Sequence, residues 1–201
     1  MRIGVLALQG AFSEHIAILR SNRIDAVEVR LPEDLAGLDG LIIPGGESTT
    51  IGKLAVEYGL MEPMREFAAR RPVWGTCAGM VFMAKEIGED QPLLGVMDIS
   101  VERNAFGRQI DSFEVRLQVP VLSNGNSLPF PAVFIRAPIL RTVDEEAGAI
   151  TLARLEDGTA VAARQGRWLV TAFHPELSDD LRVHRFFIES AAPIRSTREE
   201  L

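Results

Sequence analysis

The stretch PVWGTCAGM, residues 72–80, decides how this chain folds. A short apolar run ends in a glycine. The chain's single cysteine, Cys77, comes next, flanked two positions away on either side by Gly75 and Gly79. That pattern, G-x-C-x-G, marks a sharp strand-to-helix turn. In such a turn the central residue takes strained dihedrals, and side chains at the two flanking positions would strike neighbouring backbone. The turn lifts the sulfur above the carboxyl end of a strand, where open α/β sheets bind ligands. It also places the sulfur at a helix N-terminus. The dipole there favours a thiolate, and the N–H of Ala78 faces any oxyanion that forms. The plainer alternative is a buried structural cysteine. Paired glycines argue against it, because a core cysteine needs neither.

The flanking sequence agrees with an α/β sheet. RIGVLAL (2–8) is a nearly continuous apolar run, as in a strand covered on both faces. Phe12, Ile16 and Leu19 come after it at helical spacing. DAVEVR (25–30) and GLIIPGG (40–46) read as the second and third strands. Ser48 is a candidate N-cap for a helix that carries Ile51, Leu54, Ala55 and Tyr58 on one face and stops at Gly59. A further helix is expected near 62–71, a fourth strand at PVWGTC, and a helix over 78–87. This alternation predicts a doubly wound, mostly parallel sheet in a three-layer α/β/α arrangement. The second half is strand-rich: LLGVMDISVER, SFEVRLQVP, AVFIRAP, ITLARLE, TAVAARQ and RWLVTAFH, with hairpin turns at DGT and QGR. Those segments predict antiparallel strands in the C-terminal half. A last helix is expected from about Ser178, with Asp179 and Asp180 in its first turn and Val183, Phe186 and Phe187 buried. One domain over 1–192 is expected, with a polar tail over 193–201.

Composition narrows the function classes. The chain has 201 residues, 47% of them hydrophobic, and a net charge of −7. No basic block is present, which speaks against nucleic acid as a partner. One cysteine forms no internal disulfide and offers no zinc pair, so a reducing cytoplasm is the expected location. The N-terminus lacks the pattern of a secretory signal, and no stretch reaches the ~18 apolar residues of a membrane helix. No cofactor or metal is expected.

A cysteine nucleophile needs a base. Of the three histidines, His174 closes the apolar strand WLVTAFHPE. The proline after it favours extended backbone, in which His174 and Glu176 point the same way. A carboxylate beside one ring nitrogen fixes the tautomer and leaves the other nitrogen free for the thiol proton. Alone, HPE could equally be a strand end with a solvated glutamate. His15, on the first helix, reads as a surface or packing residue, and His184, near the Val183, Phe186 and Phe187 face, as packing or as support for the site. Pro44-Gly45-Gly46-Glu47-Ser48 succeeds the third strand. Its backbone N–H groups could face an anion, with Gly45 and Gly46 completing an oxyanion hole begun by Ala78. Taken alone, it is also an ordinary strand-to-helix turn.

PGG after the third strand, GTCAG at the elbow and HPE near the C-terminus together resemble the class I (triad) glutamine amidotransferases. More specifically, LALQGAFSEH (6–15), PGGESTT (44–50), VERNAFGRQ (101–109) and FHPELSDDLRVHRFF (173–187) resemble the glutaminase subunits of pyridoxal 5′-phosphate synthases, over essentially the whole chain. The resemblance implies that Cys77 attacks the side-chain amide of L-glutamine, that His174 shuttles the proton, and that Glu176 orients His174. It implies an oxyanion hole from Gly45, Gly46 and Ala78, and glutamine contacts from Gly46, Glu47, Ser48, Arg103, Ile135 and Arg136. It further implies a partner, a (β/α)8-barrel synthase subunit in a large hetero-oligomer, which takes the ammonia. Gln9 and Gly10, just after the first strand, are expected to couple that docking to the site. The competing readings are a glutaminase subunit of another synthase, such as that for imidazole glycerol phosphate, a catalytically silent binding module, and a free-standing thiol hydrolase.

Overall fold

The computed structural model describes residues 1–103, 112–122 and 128–192. The NAFGRQ part of the 101–109 motif and the tail over 193–201 lie outside the described residues.

Among the described residues, twelve strands run in chain order: β1 (Arg2–Leu6), β2 (Asp25–Val29), β3 (Gly40–Ile43), β4 (Val73–Thr76), β5 (Ala84–Glu86), β6 (Met97–Glu102), β7 (Ser112–Leu117), β8 (Phe130–Ile135), β9 (Ile139–Val143), β10 (Ala149–Arg154), β11 (Ala160–Gln165) and β12 (Trp168–Thr171). Five α-helices among the same residues lie between or after them: α1 (Phe12–Ser21), α2 (Ser48–Glu57), α3 (Met61–Arg70), α4 (Ala78–Met83) and α5 (Arg182–Ala191).

The main sheet has the order β2-β1-β3-β4-β12-β11-β9-β6-β5, with β10 paired to β11. Its first half is parallel throughout, through β12 against β4. From β12 to β11 the pairing turns antiparallel. β3 and β4 are buried along their whole length, as their unbroken apolar runs require. β7 and β8 form a separate antiparallel pair.

The last strand does not extend the sheet edge. β12 inserts beside β4, in the register Thr171↔Thr76, and the Cys77 N–H donates to the Thr171 carbonyl at 2.8 Å. The carboxyl ends of β3, β4 and β12 are therefore neighbours. They release the PGG loop, Cys77 and His174 within a few residues of one another.

Four local expectations are corrected. The N-cap of α2 is Glu47, not Ser48: its carboxylate accepts from the Thr49 and Thr50 N–H groups at 3.2 and 2.7 Å. The helix expected over 78–87 stops at Met83. The Phe82 and Met83 carbonyls accept from Leu94 and Val96 instead of the next turn, and Ala84–Glu86 becomes a strand against β6. The last helix begins at Arg182, not Ser178. Asp180 precedes it and accepts from the Arg182 backbone and guanidinium, so the acid sits outside the first turn. The HPE segment is not extended: Pro175–Leu177 form a single 3-10 turn with His174 as its N-cap.

The elbow glycines have a steric cause. A Cβ on Gly75 would lie 2.5 Å from the Gly79 carbonyl oxygen, and one on Gly79 would lie 2.1 Å from the Ile43 carbonyl oxygen. Backbone cannot yield as a flexible side chain does. Gly79→Ala is expected to cost at least the ~1–3 kcal/mol of ordinary overpacking. Thermal unfolding checks this, and a wild-type melting temperature would contradict it.

Candidate active site

Cys77 is the N-cap of α4, with φ 47° and ψ −105°. A non-glycine residue at such dihedrals carries ~1–3 kcal/mol of strain, held in place by its surroundings. Here β4, the Thr171 hydrogen bond and the two glycines hold it. The thiol is buried, and its sulfur lies 4.0 Å from the Ile135 carbonyl oxygen at the end of β8. Ala78 is the first residue of α4, so its N–H has no partner within the helix.

His174 leaves β12 three residues after its last paired position. Its backbone N–H donates to the Val133 carbonyl of β8 at 2.8 Å. Its ring Nδ1 lies 2.7 Å from Glu176 Oε1. A carboxylate only accepts, so Nδ1 carries the proton and Nε2 is left for the thiol. The Cys77 side chain and the ring stand on the same side of Gly45, close enough for the sulfur to act on the titration of the imidazole. Glu176 is fully shielded, and His174 nearly so. Burial alone would pull the imidazole down, but the hydrogen bonds and negative charges of Cys77 and Glu176 outweigh it and push His174 up to about 10. The arrangement favours the imidazolium form of His174 near pH 7.

Gly45 presses against this pair. A Cβ there would lie 2.5 Å from His174 Cε1 and 3.5 Å from Cys77 Cβ. The Gly45 carbonyl accepts from the Ala11 N–H at 3.0 Å, on the side of the residues that succeed β1. Gly10 has φ +98°, and a Cβ there would fall 1.8 Å from that same carbonyl oxygen. Gln9 Oε1 accepts from the Glu47 N–H at 2.7 Å. Gln9 and Gly10 are thus built into the wall of the PGG loop.

The triad, oxyanion-hole, glutamine-binding and coupling residues named from the sequence all line one cavity of about 430 Å³. That is ample for an amino acid. Arg103 projects into it with two carboxylate partners, Glu89 at 2.7 Å and Glu47 at 3.2 Å, and with Thr49 and Gln91 oxygens at 3.3 and 3.2 Å. Arg136 stands at the mouth in a positive-φ conformation, φ 42°. Sequence reasoning did not find the role of Glu89 and Gln91 in holding Arg103. They lie in an irregular loop with no motif to flag them.

His15 is the larger surprise. It is fully buried, with Nε2 3.4 Å from Glu176 Oε2 and Nδ1 3.0 Å from Nε2 of buried His184. Its one sequence signal, helical phase with Phe12, Ile16 and Leu19, placed it near the buried face without naming a partner.

With this geometry in hand, comparison with known proteins identifies the lineage. Residues 5–192 match the model of the SNO glutamine amidotransferase family. The chain belongs to that family. A relative from Herpetosiphon aurantiacus, named pyridoxal 5′-phosphate synthase subunit PdxT, is 58% identical over 94% of this chain and 99% of its own length. One of the same name from Moorella thermoacetica is 57% identical over 94% and 98%. A crystal structure of a glutamine amidotransferase superposes with a TM-score of 0.87 at 51% identity, covering 94% of this chain and 98% of that one. Among the described residues no helix is long and apolar enough to cross a membrane.

The His174 titration is directly observable. Its folded-state value lies above the ordinary 6.5, so the pairing stabilises the fold fully below about pH 6.5, and that gain is lost as pH rises through about 10. In Cys77→Ala, NMR of the imidazole should show the titration moving down from about 10. An unmoved titration would mean that Cys77 contributes nothing to it.

Proposed function

We propose that Cys77, His174 and Glu176 hydrolyse L-glutamine to L-glutamate and ammonia, and that this chain is the glutaminase subunit of a pyridoxal 5′-phosphate synthase. The observation that carries the reading is one strained cysteine sharing a cavity with a histidine that packs beside it and has one ring nitrogen fixed by a buried carboxylate. Residues 1–192 act as a single amidotransferase domain, a reading supported by the continuous hydrophobic core of the described residues, which draws on positions from Ile3 to Ala191.

The geometry sets the order of the steps. The Cys77 thiolate attacks the glutamine side-chain carbon. The tetrahedral oxyanion is held by the N–H groups of Ala78 and the Gly45–Gly46 segment, a site type commonly worth 10²–10³ in rate per donor. His174 gives its proton to the departing ammonia, leaving a glutamyl thioester. Water then loses a proton to His174, attacks the thioester and releases glutamate. Glu176 holds the imidazole in one tautomer throughout.

Gly46, Glu47, Ser48, Arg103, Ile135 and Arg136 bind the glutamine. Its head group is a zwitterion, and a guanidinium suits its carboxylate. Arg103 is held by two acids, so its position is set before substrate arrives. Ile135 offers a carbonyl near the sulfur. Gln9 and Gly10, which grip the PGG loop, couple docking of the synthase barrel to the oxyanion hole, because a shift of either moves Gly45 or Glu47. The ammonia passes to that (β/α)8-barrel subunit in a large hetero-oligomer, in the cytoplasm. The family match and the names of the relatives support this partner over another synthase.

Glutamate release by the chain mixed with the synthase subunit tests the reading. Cys77→Ala should abolish it. Glu176→Gln should keep glutamine binding while slowing turnover by about 10²–10⁴, the usual weight of a positioned base. Wild-type turnover in Glu176→Gln would remove that residue from the mechanism. Arg103→Ala should raise the KM for glutamine by about 10–100-fold, the worth of a hydrogen bond to a charged group. An unchanged KM would place the substrate carboxylate elsewhere.

A further inference from the structure

Two buried histidines stand behind Glu176, and no step of glutamine hydrolysis uses them. His15 comes from α1 and His184 from α5, 169 residues apart in the chain, and both are fully shielded from solvent. Glu176 gives one oxygen, Oε1, to His174. Its other oxygen, Oε2, has no hydrogen bond of good geometry among the described residues, and neither has Nε2 of His15. These two atoms face each other at 3.4 Å. That is slightly longer than an optimal hydrogen bond and well within reach of one on a small adjustment. Beyond it, His15 Nδ1 lies 3.0 Å from His184 Nε2, and among the described residues His184 Nδ1 has no hydrogen-bond partner. Trp74 holds both rings edge-on, with centroids at 5.5 and 5.0 Å.

The acceptor at one end dictates the proton pattern. A carboxylate oxygen only accepts, so the nitrogen facing it must carry a hydrogen. His15 then donates from Nε2 and accepts at Nδ1. His184 must donate from Nε2, and the chain ends in a bare lone pair rather than a stranded N–H. Burial, with the neighbouring His184 and His174, keeps His15 well below its ordinary value, and burial brings His184 down to about 4. Both rings are therefore neutral near pH 7, as this one-way chain of single donors requires.

We infer that His15 is a positioning residue of the glutaminase site: its Nε2–H holds the second oxygen of Glu176 and so fixes the plane of the carboxylate that orients His174, while His184 fixes the tautomer of His15. Packing alone does not account for the pair. An apolar side chain would fill the space without burying imidazole nitrogens, whose desolvation is costly. It would also leave Oε2 buried with no donor, the expensive state for a carboxylate.

The inference rests on the triad reading, and the test separates the two. Glutamine hydrolysis is measured in the complex with the synthase subunit, with Cys77→Ala as control. His15→Leu should lower kcat by about tenfold or more, the weight of a lost hydrogen bond to a charged group, and leave the KM for glutamine within about twofold. His15→Gln places an amide N–H near the position of Nε2 and should recover most of the rate. His15→Asn places its amide near Nδ1 and should not. His184→Phe combined with His15→Leu should fall no further than His15→Leu alone, because His184 acts through His15.

Loss in Gln equal to that in Asn, or additive losses in the double variant, would overturn the inference. So would wild-type kcat in a folded His15→Leu. Should His15→Leu fail to fold, the Gln and Asn variants decide alone. In each variant the His174 Nδ1 proton, seen by NMR, should lose its hydrogen-bonded shift in step with kcat. Should Cys77→Ala itself retain turnover, the triad reading falls first.

Discussion

The parallel pairing of β12 with β4 is the constraint on which the site depends. β4 ends at Thr76 and β12 at Thr171, in direct register, and a hydrogen bond ties Cys77 to Thr171. Parallel neighbours end on the same side of a sheet, so the segments leaving the two strands must meet. Cys77 leaves one strand and His174 the other. β3 pairs with β4 on its opposite side, so the PGG loop completes the third wall. Residues 45, 77 and 174 are distant in the chain and adjacent in space for this one reason. The long antiparallel excursion through β6 to β11 is what lets the chain return to that slot.

The elbow places backbone strain at the residue proposed as the nucleophile. A positive φ at Cys77 costs energy that β4, α4 and the two close-packed glycines supply. α1 ties the two sides of the site together. The chain entering it holds the Gly45 carbonyl through Ala11, and one turn later His15 reaches Glu176. One short helix thus touches both the PGG loop and the carboxylate that pairs with His174.

The sequence carried the α/β alternation, the parallel core and the place of the elbow plainly, because continuous apolar runs and glycine pairs are local signals. Gly75 and Gly79 read as a steric demand, and the contacts of their missing Cβ atoms are with backbone, as that reading requires. The residues named for the site line one cavity because each lies beside the end of a strand that the fold makes adjacent to the others. The features that escaped were set by tertiary contact. β9 carried no periodic signal distinct from its neighbours. α4 ended early because carbonyls of Phe82 and Met83 found partners at Leu94 and Val96. The His174–Glu176 contact was expected from extended backbone and is made through a 3-10 turn. His15 looked like a helix-face residue because its partners, Glu176 and His184, lie at the other end of the chain.

The central claim is that Cys77 is the nucleophile, activated by its neighbours in this fold. The most direct measurement is covalent labelling in the assembled complex with a glutamine analogue bearing a γ-chloroketone, with peptide mapping of the product. The account predicts one adduct, on the peptide containing Cys77, formed in proportion to lost glutaminase activity and slowed by added glutamine. Full activity with Cys77 wholly alkylated, or inactivation with the label on another residue, would contradict it.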